Sequence, residues 1–188
     1  MDKRSKTILQ ATKISMNILE VGHWVALVLM VGALISVLAA PQFLGNFVGL
    51  DTSGAVIPLS VYGFELEVPV VNGQVDTTTF ALFAIGAILN FGFMAMVFRN
   101  LHLIIRKSDG TTPFQKDNVR MLKEIGIFFI SVYLVGLIMS IVARLVLGWD
   151  MVETSVRVDG ILTGLVVLCL TQYFAYGMKL QNDVDGLL

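Results

Sequence analysis

The chain has 188 residues, of which 56% are hydrophobic and 14% are charged, and its mean hydropathy is +0.81. Charged residues make up about a quarter of an ordinary soluble domain, so this composition indicates a chain whose solvent is the lipid bilayer. The formal net charge of -1 leaves no basic surplus, which argues against direct binding to nucleic acid. The single cysteine, Cys169, excludes an intramolecular disulfide and a cysteine zinc cluster.

Four apolar runs are each long enough to cross about 30 Å of hydrocarbon as a helix. They cover residues 21–40, 80–98, 125–143 and 161–178. The first run ends in VLAAPQ, like a signal peptide. About twenty residues precede it, however, and no A-x-A stands before the proline, so we expect a retained span. The sequence therefore predicts an all-α membrane protein, with a single domain of four transmembrane helices over residues 1–188.

The basic residues predict the orientation of these spans. Eleven of the 13 Lys and Arg residues fall on one side, and only Arg144 and Arg157 fall on the other. Such an excess marks the cytoplasmic side of a membrane protein. Both termini and a helical hairpin over residues 99–124 are therefore predicted to be cytoplasmic.

The insert between the first two spans, residues 41–79, contains no Lys or Arg. Within it, FELEVPVVNGQV alternates apolar residues with Glu65 and Glu67, and Asn72-Gly73 then offers a type I′ turn. The sequence predicts a small extracellular β-hairpin here. Trp149, in the second outer connection (residues 147–160), is placed as an interfacial aromatic.

The cytoplasmic segment carries the signals of a helix start. Thr112 is a good N-cap, Pro113 suits the first helical position, and Gln115 completes a capping box. A helix is therefore predicted to begin at Pro113. The segment is either a well-capped loop or a docking surface, because Phe114 and the run Leu103-Ile104-Ile105 are more apolar than a solvated loop requires.

Two motifs resemble those of a bacterial family of four-span membrane proteins, domain-of-unknown-function family 2975. They are PFQKDNVRMLKEIG and, about fifty residues later, YFAYGMKLQNDVDGLL. Two positions depart from the family pattern: Gln172 stands where a glutamate is common, and Ala175 where an arginine is frequent. The positions that match are Pro113, Phe114, Asn118, Val119, Leu122, Ile125 and Gly126 in the first motif, and Phe174, Gly177, Leu180 and Asp185 in the second.

The resemblance implies a location in the bacterial cytoplasmic membrane. Genes of this family often lie beside a gene for a very short helix-turn-helix regulator, so the resemblance also implies a small soluble DNA-binding partner. From the motifs and the apolar hairpin we predict a partner-binding site formed by Pro113, Phe114, Asn118, Gly177 and Asp185.

Polar residues within or beside the spans are candidates for function, because such groups are costly in lipid. Asn90 is expected to be a structural contact first and a ligand contact second. Arg144 is expected to snorkel or to pair with Asp159 or Glu153, and Gln172 to lie on a packing seam first and a dimer face second. Glu20 and His23 are three residues apart, so their side chains could form an interfacial hydrogen bond or a proton relay. His102 lies at a depth near that of His23, which leaves paired haem ligation as a remote alternative.

Small residues mark two packing seams. They are Gly160 and Gly164 on the fourth span, and Gly32, Ser36 and Ala40 on the first. This spacing lets helix backbones approach closely, within the chain or in a homo-oligomer.

The sequence contains no phosphate loop, nucleophile elbow, H-E-x-x-H motif or Cys/His cluster of metal spacing. We therefore expect no enzymatic activity, no cofactor and no metal. The leading hypothesis is a non-enzymatic sensor or regulatory partner. The alternative is a small solute transporter, exporter or toxin-immunity protein, in which Glu20, Asn90 and Gln172 line a path.

Overall fold

The computed structural model describes residues 3–40, 42, 56–108, 112–148 and 159–186, without the side chains of residues 3–6 and 185. The predictions for Trp149, and for most of the first half of the 41–79 insert, lie outside these residues.

Within the described residues there are four long helices, which are α1 (Lys3–Ala39), α2 (Thr77–Lys107), α3 (Lys116–Leu147) and α4 (Asp159–Asp185). All four are long and apolar enough to cross a membrane, which confirms the prediction of four long apolar helices. The shortest has 27 residues and is about 40 Å long at about 1.5 Å per residue. Each helix therefore exceeds the hydrocarbon thickness of about 30 Å.

The predicted start of α3 at Pro113 is wrong by three residues, because the helix begins at Lys116. The first helical hydrogen bond runs from the Val119 amide to the Gln115 carbonyl, at 3.0 Å. The Pro113 carbonyl instead accepts from the Gln115 amide and from the Asn118 side chain. These local bonds stabilise a turn before the helix.

The sheet contains β1 (Val56–Val61), β2 (Phe64–Val71) and β3 (Gln74–Val75) in antiparallel order β1-β2-β3. The predicted β2 and the Asn72-Gly73 turn are confirmed, and both turn residues have positive φ. The sequence analysis missed β1 and the turn at Tyr62-Gly63, where φ is also positive. The strand reads VIPLSV, and Ser60 is its only polar residue, so alternation gave little signal.

The chain divides into two compact units, which we describe separately. Unit 1 comprises residues 1–23, 93–131 and 159–188, and unit 2 comprises residues 24–92 and 132–158. Unit 2 therefore contains the sheet, and unit 1 contains α4.

In unit 2, the apolar face of β2 packs on helical segments. Phe64 is fully buried, and its ring stacks on Phe83 with centroids 5.7 Å apart. A Cβ added at Gly86 would lie 2.8 Å from this ring, and one added at Gly136 would lie 3.5 Å from the Phe64 Cβ. Gly86 on α2 and Gly136 on α3 therefore form the surface that Phe64 packs against. Asp76 then caps α2, because its carboxylate accepts the Thr79 amide at 2.8 Å.

In unit 1, α3 and α4 approach closely at Gly126 and Gly164. A Cβ at Gly164 would lie 2.9 Å from the Gly126 carbonyl oxygen, and one at Gly126 would lie 3.0 Å from the Gly164 carbonyl oxygen. The predicted seam on the fourth span thus packs within the chain at Gly164. Phe93 of α2 and Phe128 of α3 also stack, with centroids 5.9 Å apart.

The predicted seam on α1 is different. Nothing lies within 4 Å of a Cβ added at Gly32, and the Ser36 hydroxyl donates to the Gly32 carbonyl of its own helix. The expected close packing at Gly32 is therefore not made among the described residues. Much of the apolar surface of α1 is exposed, including Val28 and Leu29, as lipid-facing side chains would be.

Replacing Gly164 by Ala is expected to destabilise the protein. The new methyl would overlap the Gly126 carbonyl and the Ile130 side chain, and such overpacking costs about 1–3 kcal/mol. The gain in helix propensity is at most about 1 kcal/mol. The measurement is the unfolding temperature in mild detergent, which should fall.

Gly32→Ala is the matched control, since its methyl meets open space. Its unfolding temperature should stay the same or rise. Equal changes in the two variants would contradict the close contact of α3 and α4.

Candidate partner-binding site

The turn before α3 is organised by Asn118. Its amide nitrogen donates to the Pro113 carbonyl and to the Ser108 hydroxyl, both at 3.0 Å. The Phe114 amide donates to the Thr112 hydroxyl at 3.2 Å. Asn118 is only 1% exposed, so its amide holds the turn together and does not face a partner.

Phe114 joins this turn to α4. Its ring lies 5.4 Å from that of Phe174, centroid to centroid. A Cβ at Gly177 would lie 2.8 Å from the Phe114 ring, so only glycine leaves room for this contact. The Thr112 hydroxyl also donates to the Gln181 side-chain carbonyl at 2.8 Å.

Four of the five residues predicted to bind a partner are therefore brought together, namely Pro113, Phe114, Asn118 and Gly177. Asp185 lies in the last turn of α4, and its side chain is outside the described part of the chain. Phe114 remains 38% exposed. The cluster is built by the chain's own packing and leaves part of one aromatic ring for a partner.

Basic side chains lie on the helix that follows this turn. Lys116, Arg120 and Lys123 are exposed, and their spacing places them along one side of α3. Arg120 pairs loosely with Glu124, at 3.6 Å. We call these three residues and Phe114 the basic-aromatic surface.

Lys107, at the end of α2, forms a 2.6 Å ion pair with Asp117. The hydrogen bond from Lys107, together with its positive charge, holds the pKa of Asp117 below its ordinary value of 3.8. Both residues lie outside the predicted spans. The pair links the two helices that flank the turn.

The polar residues near the inner ends of the spans form contacts between helices. The Nδ1 atom of His102 lies 3.3 Å from both the Glu20 carboxylate and the Asn17 amide nitrogen. One ring nitrogen cannot donate to the carboxylate and accept from the amide at once. The tautomer of the His102 ring therefore selects between the two partners on α1.

The sequence placed Glu20 beside His23, whereas the structure brings Glu20 to His102 on another helix. The His23 ring donates to the Leu19 carbonyl at 2.7 Å. A further contact that the sequence analysis missed joins Asn100 of α2 to Glu124 of α3, at 3.0 Å. The available signal was that both polar residues border the inner ends of neighbouring predicted spans.

The remaining intramembrane candidates differ in their surroundings. Asn90, in unit 2, is 0% exposed, and neither atom of its amide has a hydrogen-bond partner among the described residues. Arg144 is half-buried in the last turn of α3. Gln172 is exposed on α4. Across the described residues, no group of three or more His, Cys, Asp or Glu side chains could hold a metal ion.

Comparison with family models, curated proteins and solved structures finds no match for this chain. The membership in family 2975 stays a prediction from the two motifs.

The Lys107–Asp117 pair predicts a pH-dependent contribution to stability. A carboxylate whose pKa is lowered by folding stabilises the folded state above its unfolded pKa, and this contribution disappears as the pH falls through the folded pKa. Asp117→Asn should therefore lower the unfolding temperature slightly at pH 7. The difference from wild type should shrink as the pH falls below 3.8 and vanish only below the lower pKa that Asp117 has in the folded state.

Because the pair is exposed, about 1 M salt should also remove the difference. Asp117→Asn in a Lys107→Ala background is the control and should have no effect. A full effect in that background would assign the stabilisation to another group.

Proposed function

We propose that this chain is a multi-pass protein of the bacterial cytoplasmic membrane and a member of family 2975. Both termini and the turn before α3 face the cytoplasm. The protein works without enzymatic chemistry, as a sensor or regulatory partner, and its partner is a small soluble DNA-binding regulator.

The observation that carries the proposal is the contact between the two motifs of the resemblance. Phe114 of the first motif packs on Phe174 and Gly177 of the second. Two segments about fifty residues apart thus build one structure, at the end of the helices that the basic residues assign to the cytoplasm.

The surface beside this contact suits an acidic and apolar partner surface. Lys116 and Lys123 are exposed, and among the described residues neither forms an ion pair with an acidic side chain. Part of the Phe114 ring offers an apolar anchor, and aromatic anchors contribute strongly to binding. Complementary charge would guide the partner onto it.

Charge reversal tests this proposal without disturbing the packing of Phe114. The tagged protein is purified from native membranes in mild detergent, as wild type and as Lys116→Glu/Lys123→Glu, and co-purifying proteins are identified by mass spectrometry. A small DNA-binding protein should accompany wild type, and its recovery should fall about tenfold or more in the variant.

Glu67→Lys, a charge reversal on the exposed part of β2, is the matched control and should retain the partner. If no specific protein accompanies wild type, or if the variant retains it fully, the docking role of the basic-aromatic surface is wrong.

Asn90 supports a second candidate, a small solute transporter or toxin-immunity protein. A fully buried amide without a partner is costly, and a solute passing between the helices would supply one. In this case Asn90→Leu should abolish dye efflux from proteoliposomes or toxin resistance of expressing cells, while Phe114→Ala should not. If Asn90→Leu keeps these activities and raises the unfolding temperature, Asn90 carries no such role.

A further inference from the structure

The β1–β2 hairpin reaches deep between the helices of unit 2. Phe64, near the tip of the hairpin, contacts Gly86 on α2. Gly86 lies about 14 Å along the helix from its first residue, Thr77, at about 1.5 Å per residue. On α3, Gly136 receives Phe64 about 17 Å before the helix ends at Leu147. Tyr62 extends further, because its ring meets Phe91 with centroids 6.5 Å apart.

These contacts lie inside the predicted spans. Measured from the predicted outer boundaries at Phe80 and Ala143, Gly86 and Gly136 are each about 10 Å into the hydrocarbon. The predicted extracellular hairpin is thus inserted among the helices. This placement rests on the spans and orientation of the proposed function.

The two faces of the inserted hairpin differ. Phe64, Leu66, Val68 and Val70 are buried against the helices. On the other face, Ser60 is exposed and Glu65 is half-buried, and they lie opposite each other in the sheet. The Ser60 hydroxyl donates to the Glu65 carboxylate at 3.3 Å. A groove of about 100 Å³ follows this face, lined by Pro58, Leu59, Ser60, Glu65, Leu66 and Glu67.

Lipid tails cannot cover such a face. A carboxylate at hydrocarbon depth needs water or a charged partner. Among the described strands, β1 pairs only with β2, so its other edge also presents backbone polar groups. Non-helical backbone at membrane depth is tolerated only where protein buries it or water reaches it, and Pro58, Ser60 and Glu67 on this face are exposed.

We infer that the polar face of the hairpin lines a water-filled vestibule, which descends along the hairpin from the outer surface to Ser60 and Glu65. The vestibule brings water within the thickness of the membrane. The hairpin is then the element that connects the outer solution to the helices.

Cysteine accessibility tests the vestibule. In a Cys169→Ser background, Ser60→Cys is labelled with a membrane-impermeant maleimide in right-side-out membrane vesicles. Val28→Cys is the matched control, because Val28 is 65% exposed on α1 at a depth close to that of Met30, which packs against the hairpin. Val71→Cys, at the outer end of β2, is the positive control.

Ser60→Cys should react about tenfold or more faster than Val28→Cys, because the maleimide and the thiolate both require water. Labelling in SDS normalises each rate to the amount of protein. Pro58→Cys, on the same face, is a second position and should behave like Ser60→Cys.

If Ser60→Cys and Pro58→Cys react no faster than Val28→Cys, the vestibule is wrong. Protection of both together with oxidative cross-linking between two chains would also overturn it, since a second copy would then cover the face. If Ser60→Cys, Pro58→Cys and Val71→Cys are all labelled only in inside-out vesicles, the vestibule stands and the proposed orientation is wrong.

Discussion

Close approach at glycine is the constraint on which both units depend. Side chains of helices in lipid gain little from leaving that solvent, so association relies on van der Waals contact and on polar bonds. Such contact requires backbones and large side chains to meet without an intervening Cβ. Gly86 and Gly136 receive Phe64, Gly126 and Gly164 bring α3 to α4, and Gly177 receives Phe114. At Gly86, Gly126, Gly164 and Gly177 a single methyl group would force the neighbouring atoms to shift, whereas at Gly136 it would meet Phe64 at an ordinary van der Waals distance.

The polar residues of unit 1 add directional contacts to this packing. Glu20 and Asn17 of α1 meet His102 of α2, and Asn100 of α2 meets Glu124 of α3. Within this unit, three helices are thus connected by hydrogen bonds whose geometry a shift of one helix would change. An arrangement of this kind suits a protein that transmits a change of helix position to a docked partner. The tautomer of His102 decides which of its two contacts on α1 is a hydrogen bond.

The sequence predicted the elements well where the signal was local. Long continuous runs of apolar residues located all four helices, and Asn72-Gly73 located its turn, because both signals depend on neighbouring residues. The start of α3 was misplaced because Asn118, three residues inside the helix, binds the Pro113 carbonyl. The strand β1 was missed because its identity depends on pairing with β2. For the candidate site, the motifs predicted the residues Phe114 and Gly177. The spacing of these residues did not predict that one packs on the other.

By itself, the sequence determined that the chain has four long apolar helices, because the length and composition of each apolar run suffice for this. Only the tertiary structure decided which glycines are contact points and which face open space. Gly164 is a contact point, whereas Gly32 faces open space. It also decided that Glu20 meets His102 and that the hairpin lies among the helices. The physical reason is that these contacts join residues far apart in the chain, and their existence depends on shape and depth that no local pattern records.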